Sequence, residues 1–461
     1  MRNYGVENFE ERLALANEAR SKMHAEKFAE AAKIIGDEGA KALSELYELY
    51  GDGLYLWFAS LWEPEIGGFY YSRSARDTEG YLPDIESTAQ AMNALSNLGI
   101  FEGRGGHYSK GGTPEFMRER LIAFASSLID PEDGYAYHPQ WGYNITTSRR
   151  GRDLGWTVGL LKNLGAVPPY ETALDKLKHL RDKDTEKKED TAAVLPEHLR
   201  SPLAFREYLL QFEDPESRYY LAKNSYGGGN LLQSQMAQIT AAGEEYLDLL
   251  FATFEKMQRE DNGSYEAGYS YAATNGLMKI MLMYSSAGRE FPMAERALET
   301  TIRSAVGEES PGWVCCFYNP IITILNLLNN IAKFGSEERC RELRAIIVKR
   351  APELIRVTRD KIKIFAKDDG GFSYYPEHTI SGSQNAPVAL DNAVESDVNA
   401  SCISSTGVLM NLCSVLGIER IPVFCREDGD LFFEIIDHAA VYPKVNPMPE
   451  ALQKRSRDRN K

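Results

Sequence analysis

Six segments of the chain share one rhythm: a Gly-aromatic turn, a polar stretch, and a run of small and apolar residues that closes on glycine. GGFYYS leads through PDIESTAQAMNALSNLG to Gly99, and DGYAYHPQWGYN through RGRDLGWTVGLLKNLG to Gly165. SYGGGNLLQSQMAQITAAG ends at Gly243, and NGSYEAGYSY precedes ATNGLMKIMLMYSSAG, which ends at Gly288. PGWVCCFYNP precedes IITILNLLNNIAKFG to Gly335, and DGGFSYYPEH precedes SDVNASCISSTGVLMNLCSVLG to Gly417. In the fifth run Ile321, Ile322, Ile324, Leu325, Leu327, Leu328 and Ile331 leave little polar face, the mark of a helix packed on all sides.

Amphipathic, charge-rich stretches alternate with these runs at about 25–62 (two helices, broken near Gly36), 114–129, 169–182, 244–260, 291–305 and 337–365. Their polar stripes suit an outer layer. Repetition of one inner and one outer helix predicts an all-α fold, an (α/α)6 toroid formed by a single domain over residues 1–461. The core runs from about 37 to 417, and 418–461 is a short irregular C-terminal extension in which LFFEII, from Leu431, reads as a strand or a buried extension. Residues 185–226 are charged and weakly periodic.

Charge narrows the partners. The 52 Lys and Arg stand against 67 Asp and Glu, a formal net charge of −15, and form no long basic run. That speaks against nucleic acid and against an anionic membrane surface. The charged start lacks the apolar stretch of a secretory signal, and the segments 53–62 and 321–328 fall short of the ~20 residues that span a bilayer. Six Cys in a chain of this length, without ligand spacing, read as buried thiols in a reducing, cytoplasmic setting with no metal and no cofactor.

The Gly-Gly-aromatic, Asp, Ser/Thr, Ala-Leu pattern of GGFYYS…LPDIESTAQAMNAL and DGGFSYY…SDVNASCISSTGVLMNL resembles that of the α/α-toroid superfamily. Its members include terpenoid cyclases, protein prenyltransferase β subunits and six-hairpin glycoside hydrolases, epimerases and polysaccharide lyases. The resemblance spans most of the chain as a rhythm and implies fold more than activity. DxDD, DDxxD and Asp-x-Cys do not occur, which disfavours terpenoid-cyclase and prenyltransferase chemistry. HExxH, CxxC, GxSxG, GxGxxG and P-loop motifs are likewise missing.

In a toroid, the loops entering the inner helices gather at one mouth, with helix N-termini aimed at it. Those loops carry aromatics, amides, Arg and carboxylates, a mixture suited to the faces and hydroxyls of sugars. The densest stretch is HPQWGYNITTSRRGRDLGW, from His138 to Trp156. For β-elimination from a uronate, Asn144 and an Arg would neutralise the carboxylate, His138 or His378 would take the proton, and Tyr143 or Tyr375 would protonate the leaving oxygen. Residues one or two apart on a helix diverge, so of Arg149, Arg150 and Arg152 the inward pair is expected to be Arg150 and Arg152.

For hydrolysis the candidates are Asp84, Glu86, Asp153 and Asp397, two of which would stand about 5 to 9.5 Å apart. Asp84, Asp153 and Asp397 read equally well as helix N-caps. Trp141, Trp156, Tyr71, Tyr226, Tyr271 and Asn399 complete the expected binding surface. The expected activity is cleavage of an acidic, uronate-containing oligosaccharide by a lyase or a glycoside hydrolase. A terpenoid or prenyl-diphosphate enzyme and a non-catalytic binding toroid are the alternatives.

Overall fold

The structure, a computed structural model, describes residues 4–176, 196–383 and 386–438. These residues are mainly helical. Their strands are two-residue pairs, Trp62–Glu63 against Gly68–Phe69 and Gly382–Ser383 against Ala386–Pro387, both antiparallel.

Local chemistry sets the helix ends. Ile85–Leu98 starts where Asp84 accepts hydrogen bonds from the backbone N–H groups of Glu86 and Ser87, and stops where Gly99 takes φ 107°. Asp397 opens Val398–Cys402 by accepting from the Ala400 N–H. Five of the expected closing glycines, 99, 165, 243, 288 and 417, have positive φ. Gly335, at φ −99°, ends its helix without a left-handed turn.

The third run, expected as one helix to Gly243, breaks at Gln235 into Leu221–Ser234 and the short Met236–Ala242, and among the described residues Thr147–Asn163 does not pack closely on it; the other runs pack each on the next. Ile85–Leu98 lies on Thr147–Asn163; Leu221–Ser234 lies on Tyr271–Ser286, which lies on Cys315–Phe334; and that helix lies on Val408–Leu416. The last run returns to the first, because Val398–Cys402 contacts Ile85–Leu98. Amphipathic helices cover them: Glu115–Leu128 backs Thr147–Asn163, and Ala294–Val306 backs Cys315–Phe334. A π-helical turn, Ile403–Gly407, joins Val398–Cys402 to Val408–Leu416. The expected 25–62 pair is Phe9–Tyr47, interrupted by non-helical Gly36, and Asp52–Leu61. The far end of the expected 169–182 helix and the first part of 185–226 lie outside the described residues.

Two expectations are corrected. LFFEII is neither strand nor irregular extension: it lies in the helix Arg426–Asp437, whose Asp428 accepts from the Cys425 N–H and whose Leu431, Phe432, Phe433, Ile435 and Ile436 are buried. This helix packs on Phe9–Tyr47 and Asp52–Leu61, where Arg20 bridges Asp428 at 3.0 Å and Asp52 at 2.5 Å. The core therefore reaches beyond 37–417 at both ends. Among the described residues one helical stretch, Val398–Leu416, is long and apolar enough to cross a bilayer, and 61% of its apolar window is buried inside the protein.

Candidate functional site

Each Gly-terminated helix leaves one stripe incompletely covered, at intervals of three or four residues. On Ile85–Leu98 the stripe is Gln90, Asn93 and Asn97, and on Thr147–Asn163 it includes Arg152 and Trp156. Tyr226, Asn230 and Gln233 form it on Leu221–Ser234; Met278, Lys279 and Leu282 on Tyr271–Ser286. Cys315–Phe334 exposes Tyr318, Asn319, Ile322 and Asn326 in part, and the last run exposes Met410 and Asn411. Residues i, i+3, i+4 and i+7 share a helix face, so each stripe is a single face of its helix. Amides and aromatics dominate it. Asn319 donates to Asn275 across two of these helices at 2.9 Å, and the Cys315 thiol lies 3.9 Å from the Tyr374 hydroxyl.

Charged groups collect where Ile85–Leu98 meets Thr147–Asn163. Arg149 is fully buried, and its guanidinium reaches Asp84 at 3.4 Å, Glu86 at 3.2 Å and Asp153 at 2.8 Å. It also donates to the Ser383 carbonyl at 2.9 Å and lies over the Trp141 ring, 4.9 Å from its centroid. Glu86 further accepts from Arg152 Nε at 2.9 Å and from the Ser383 hydroxyl at 3.0 Å. Only Arg152 opens to solvent, with 38% side-chain exposure against 5% for Glu86.

Asp153 is the odd member. It sits four residues beyond Arg149 on the same helix, wholly buried, and touches Nε without hydrogen-bond alignment, so neither carboxylate oxygen has a hydrogen-bond donor. Burial pushes its pKa from 3.8 up to about 7 against the pull of Arg149, with Asp84 and Glu86 adding to the rise. Asp397 contrasts with it: four donors satisfy it, the Tyr71 hydroxyl, the Thr379 hydroxyl and the N–H groups of Ala400 and Tyr374. Burial still raises it to about 6.

The expected bases differ in availability. His138 is 1% exposed; its Nε2 lies 2.7 Å from the Pro83 carbonyl, and its Nδ1 accepts from the Gln140 N–H at 3.2 Å. Burial lowers its pKa to about 3, so the ring is neutral with no lone pair left for substrate, which corrects its expected role as base. His378 is partly open, with Nδ1 2.7 Å from the Thr379 carbonyl and its ring 5.0 Å from Tyr375. Tyr143 donates to Asp130 at 2.6 Å, and Asn144 is exposed. Arg149, not Arg150, is the inward arginine; Arg150 stacks over Tyr135 at 4.8 Å. Asp84 and Asp397 are N-caps, whereas Asp153 lies inside its helix. Tyr71 and Tyr271 are buried, while Tyr375 and Asn399 are half-buried.

Two features escape sequence reasoning. Ser383 reaches the cluster from a distant hairpin, with no sequence signal. Lys279 does leave one, a lone cation in the apolar run GLMKIMLMY.

The carboxyl groups set a pH dependence. Asp153, Asp397 and Asp428 all titrate higher in the folded chain, to about 7, 6 and 6. A raised acid pKa means that the native state holds more protons, so this stability is complete below about pH 4 and is lost as pH rises through the folded values. The melting temperature is expected to fall between about pH 4 and pH 7, and Asp153→Asn to flatten the upper part of that fall. An unchanged slope in the variant would remove Asp153 from the set.

Among the described residues no three His, Cys, Asp or Glu side chains gather closely enough to hold a metal ion, and the six cysteines are unpaired. No protein-family model, curated protein or solved structure matches the chain.

Proposed function

We propose that the Gly-terminated helices close into an (α/α)6 toroid whose open stripes line a central cavity, and that this cavity binds and cleaves a uronate-containing oligosaccharide in a reducing, cytoplasmic compartment. The observation that carries the reading is the composition of the stripes: Gln90, Asn93, Asn230, Gln233, Asn319 and Asn411 interleaved with Trp156, Tyr226 and Tyr318, on helices of which the last run returns to the first. Amides supply donors and acceptors to hydroxyls, and rings stack on sugar faces.

Within this reading the cleavage is hydrolytic. Hydrolysis is favoured because the charged cluster supplies paired carboxyl groups, whereas within that cluster His138 is closed and Arg149 and Arg152 are already matched by carboxylates. Hydrolysis needs a protonated acid beside an ionised carboxylate. Asp153 takes the first role and Glu86 the second, and both become available only when substrate displaces Arg152, the one charged side chain of the cluster that opens to solvent, and so uncovers the buried carboxyl groups. The test incubates the protein with uronate-containing and neutral oligosaccharides, following reducing ends and the ultraviolet absorbance of unsaturated uronate. New reducing ends without that absorbance are expected. Unsaturated product would replace hydrolysis by elimination, and no cleavage of any oligosaccharide would overturn the reading.

A further inference from the structure

Lys279 stands apart from the other charges of the cavity-facing stripes. Arg152 is matched by Glu86 at 2.5 Å. Lys279, half-buried on Tyr271–Ser286, has among the described residues neither a hydrogen-bond acceptor nor a carboxylate partner, and its ammonium lies 5.4 Å from the centroid of the Tyr226 ring. Burial alone lowers its pKa, with no neighbouring carboxylate to offset it. A half-buried cation without a counter-charge is costly, and an anionic ligand would remove that cost.

Packing fixes the pairing of cation and ring. Gly229 lets Leu221–Ser234 approach so closely that an added Cβ would lie 2.9 Å from the Lys279 Cβ. Tyr226 lies one turn before Asn230, and Asn275 one turn before Lys279, so each amide shares a face with the ring or the cation. Tyr226 is 45% exposed, leaving ring surface for a ligand.

Resting on the proposed carbohydrate reading, we infer that Lys279 and Tyr226 form the subsite for a sugar acid: the ammonium pairs with the ring carboxylate, Tyr226 stacks on the pyranose face, and the exposed Asn230 meets its hydroxyls. Acid recognition thus lies at Lys279 and not at Arg149 or Arg152, whose charges carboxylates already neutralise, while Arg150 stacks on Tyr135.

The test measures calorimetric dissociation constants of a glucuronate-terminated disaccharide and its glucose counterpart for wild type, Lys279→Met and Tyr226→Ala. Wild type is expected to prefer the acid by at least about tenfold, the scale of a hydrogen bond to a charged group. Lys279→Met should lose that preference while keeping its affinity for the neutral sugar, and Tyr226→Ala should weaken both. In wild type, the acid disaccharide alone should protect Lys279 from reductive methylation, read by peptide mass spectrometry, a measurement that requires no folded variant. A preference surviving in Lys279→Met, or no protection, would overturn the inference. Equal binding of the two sugars by wild type would overturn it while sparing the carbohydrate reading. Binding of neither would overturn both.

Discussion

Arg149→Met is expected to destabilise the chain by about 3–5 kcal/mol at pH 7, the cost of removing one partner from a buried ion pair. The size follows from what the guanidinium holds together. Asp84 and Glu86 are 2% and 4% exposed, and Arg149 is the cation that reaches both of them and Asp153. Without it, Glu86 keeps only Arg152 as a cationic partner, and Asp84 keeps only its helix-capping and hydroxyl bonds. Methionine fills similar volume, so a cavity adds little to the loss. The penalty should shrink at pH 5, where carboxyl groups can take up protons in place of the lost cation. Urea denaturation at both pH values measures it. A loss below about 1 kcal/mol at pH 7, inside the range of ordinary surface substitutions, would mean that the carboxylates are satisfied without Arg149.

Asp153→Asn is expected to separate stability from activity. General acid catalysis contributes about 10²- to 10⁴-fold, so turnover of a cleavable oligosaccharide should fall by that factor with KM little changed. Folding should lose no more than about 1–3 kcal/mol, the cost of a buried amide NH2 without an acceptor, because the carboxyl it replaces has no hydrogen-bond donor and burial already disfavours its charge. Steady-state kinetics and urea denaturation on the same preparation test both halves. Retained turnover would reduce Asp153 to a buried companion of Arg149, whereas a loss of activity that merely tracks unfolding would deny it a role in proton transfer.

Much of the helical layout is legible in the chain because it rests on local rules. Asp84 and Asp397 cap as their positions imply, and left-handed glycines close most of the inner runs. Gly335 fails the rule because Phe334 and Gly335 leave the helix through a different backbone path, at φ −99° and ψ −115°. LFFEII misleads because a short run of five apolar residues around one Glu fits strand and buried helix equally; the deciding signal is Asp428, which caps at Cys425 before the run begins.

The site is less legible. Three arginines within four positions cannot be ranked by composition, yet the spacing does carry a clue. Arg149, Asp153 and Thr157 recur every four residues on one face and are all buried, whereas Arg150 falls on another. The arrival of Ser383 from a distant hairpin depends on tertiary structure alone, and so does the closure of His138 by the Pro83 carbonyl.

The meeting of the two ends of the chain bears on how the protein is made. Ile85–Leu98 rests on Val398–Cys402, and Phe9–Tyr47 rests on Arg426–Asp437. A ribosome adding about 5–20 residues per second needs roughly 15 to 60 s to travel from the first of these helices to its partner. Throughout that interval the nascent amino-terminal third carries Trp57, Phe58, Leu95 and Leu98, all buried in the finished protein, beside a seat that is still vacant. Translation speed and holdase chaperones should therefore govern the yield of soluble protein more than the stability of the finished fold does.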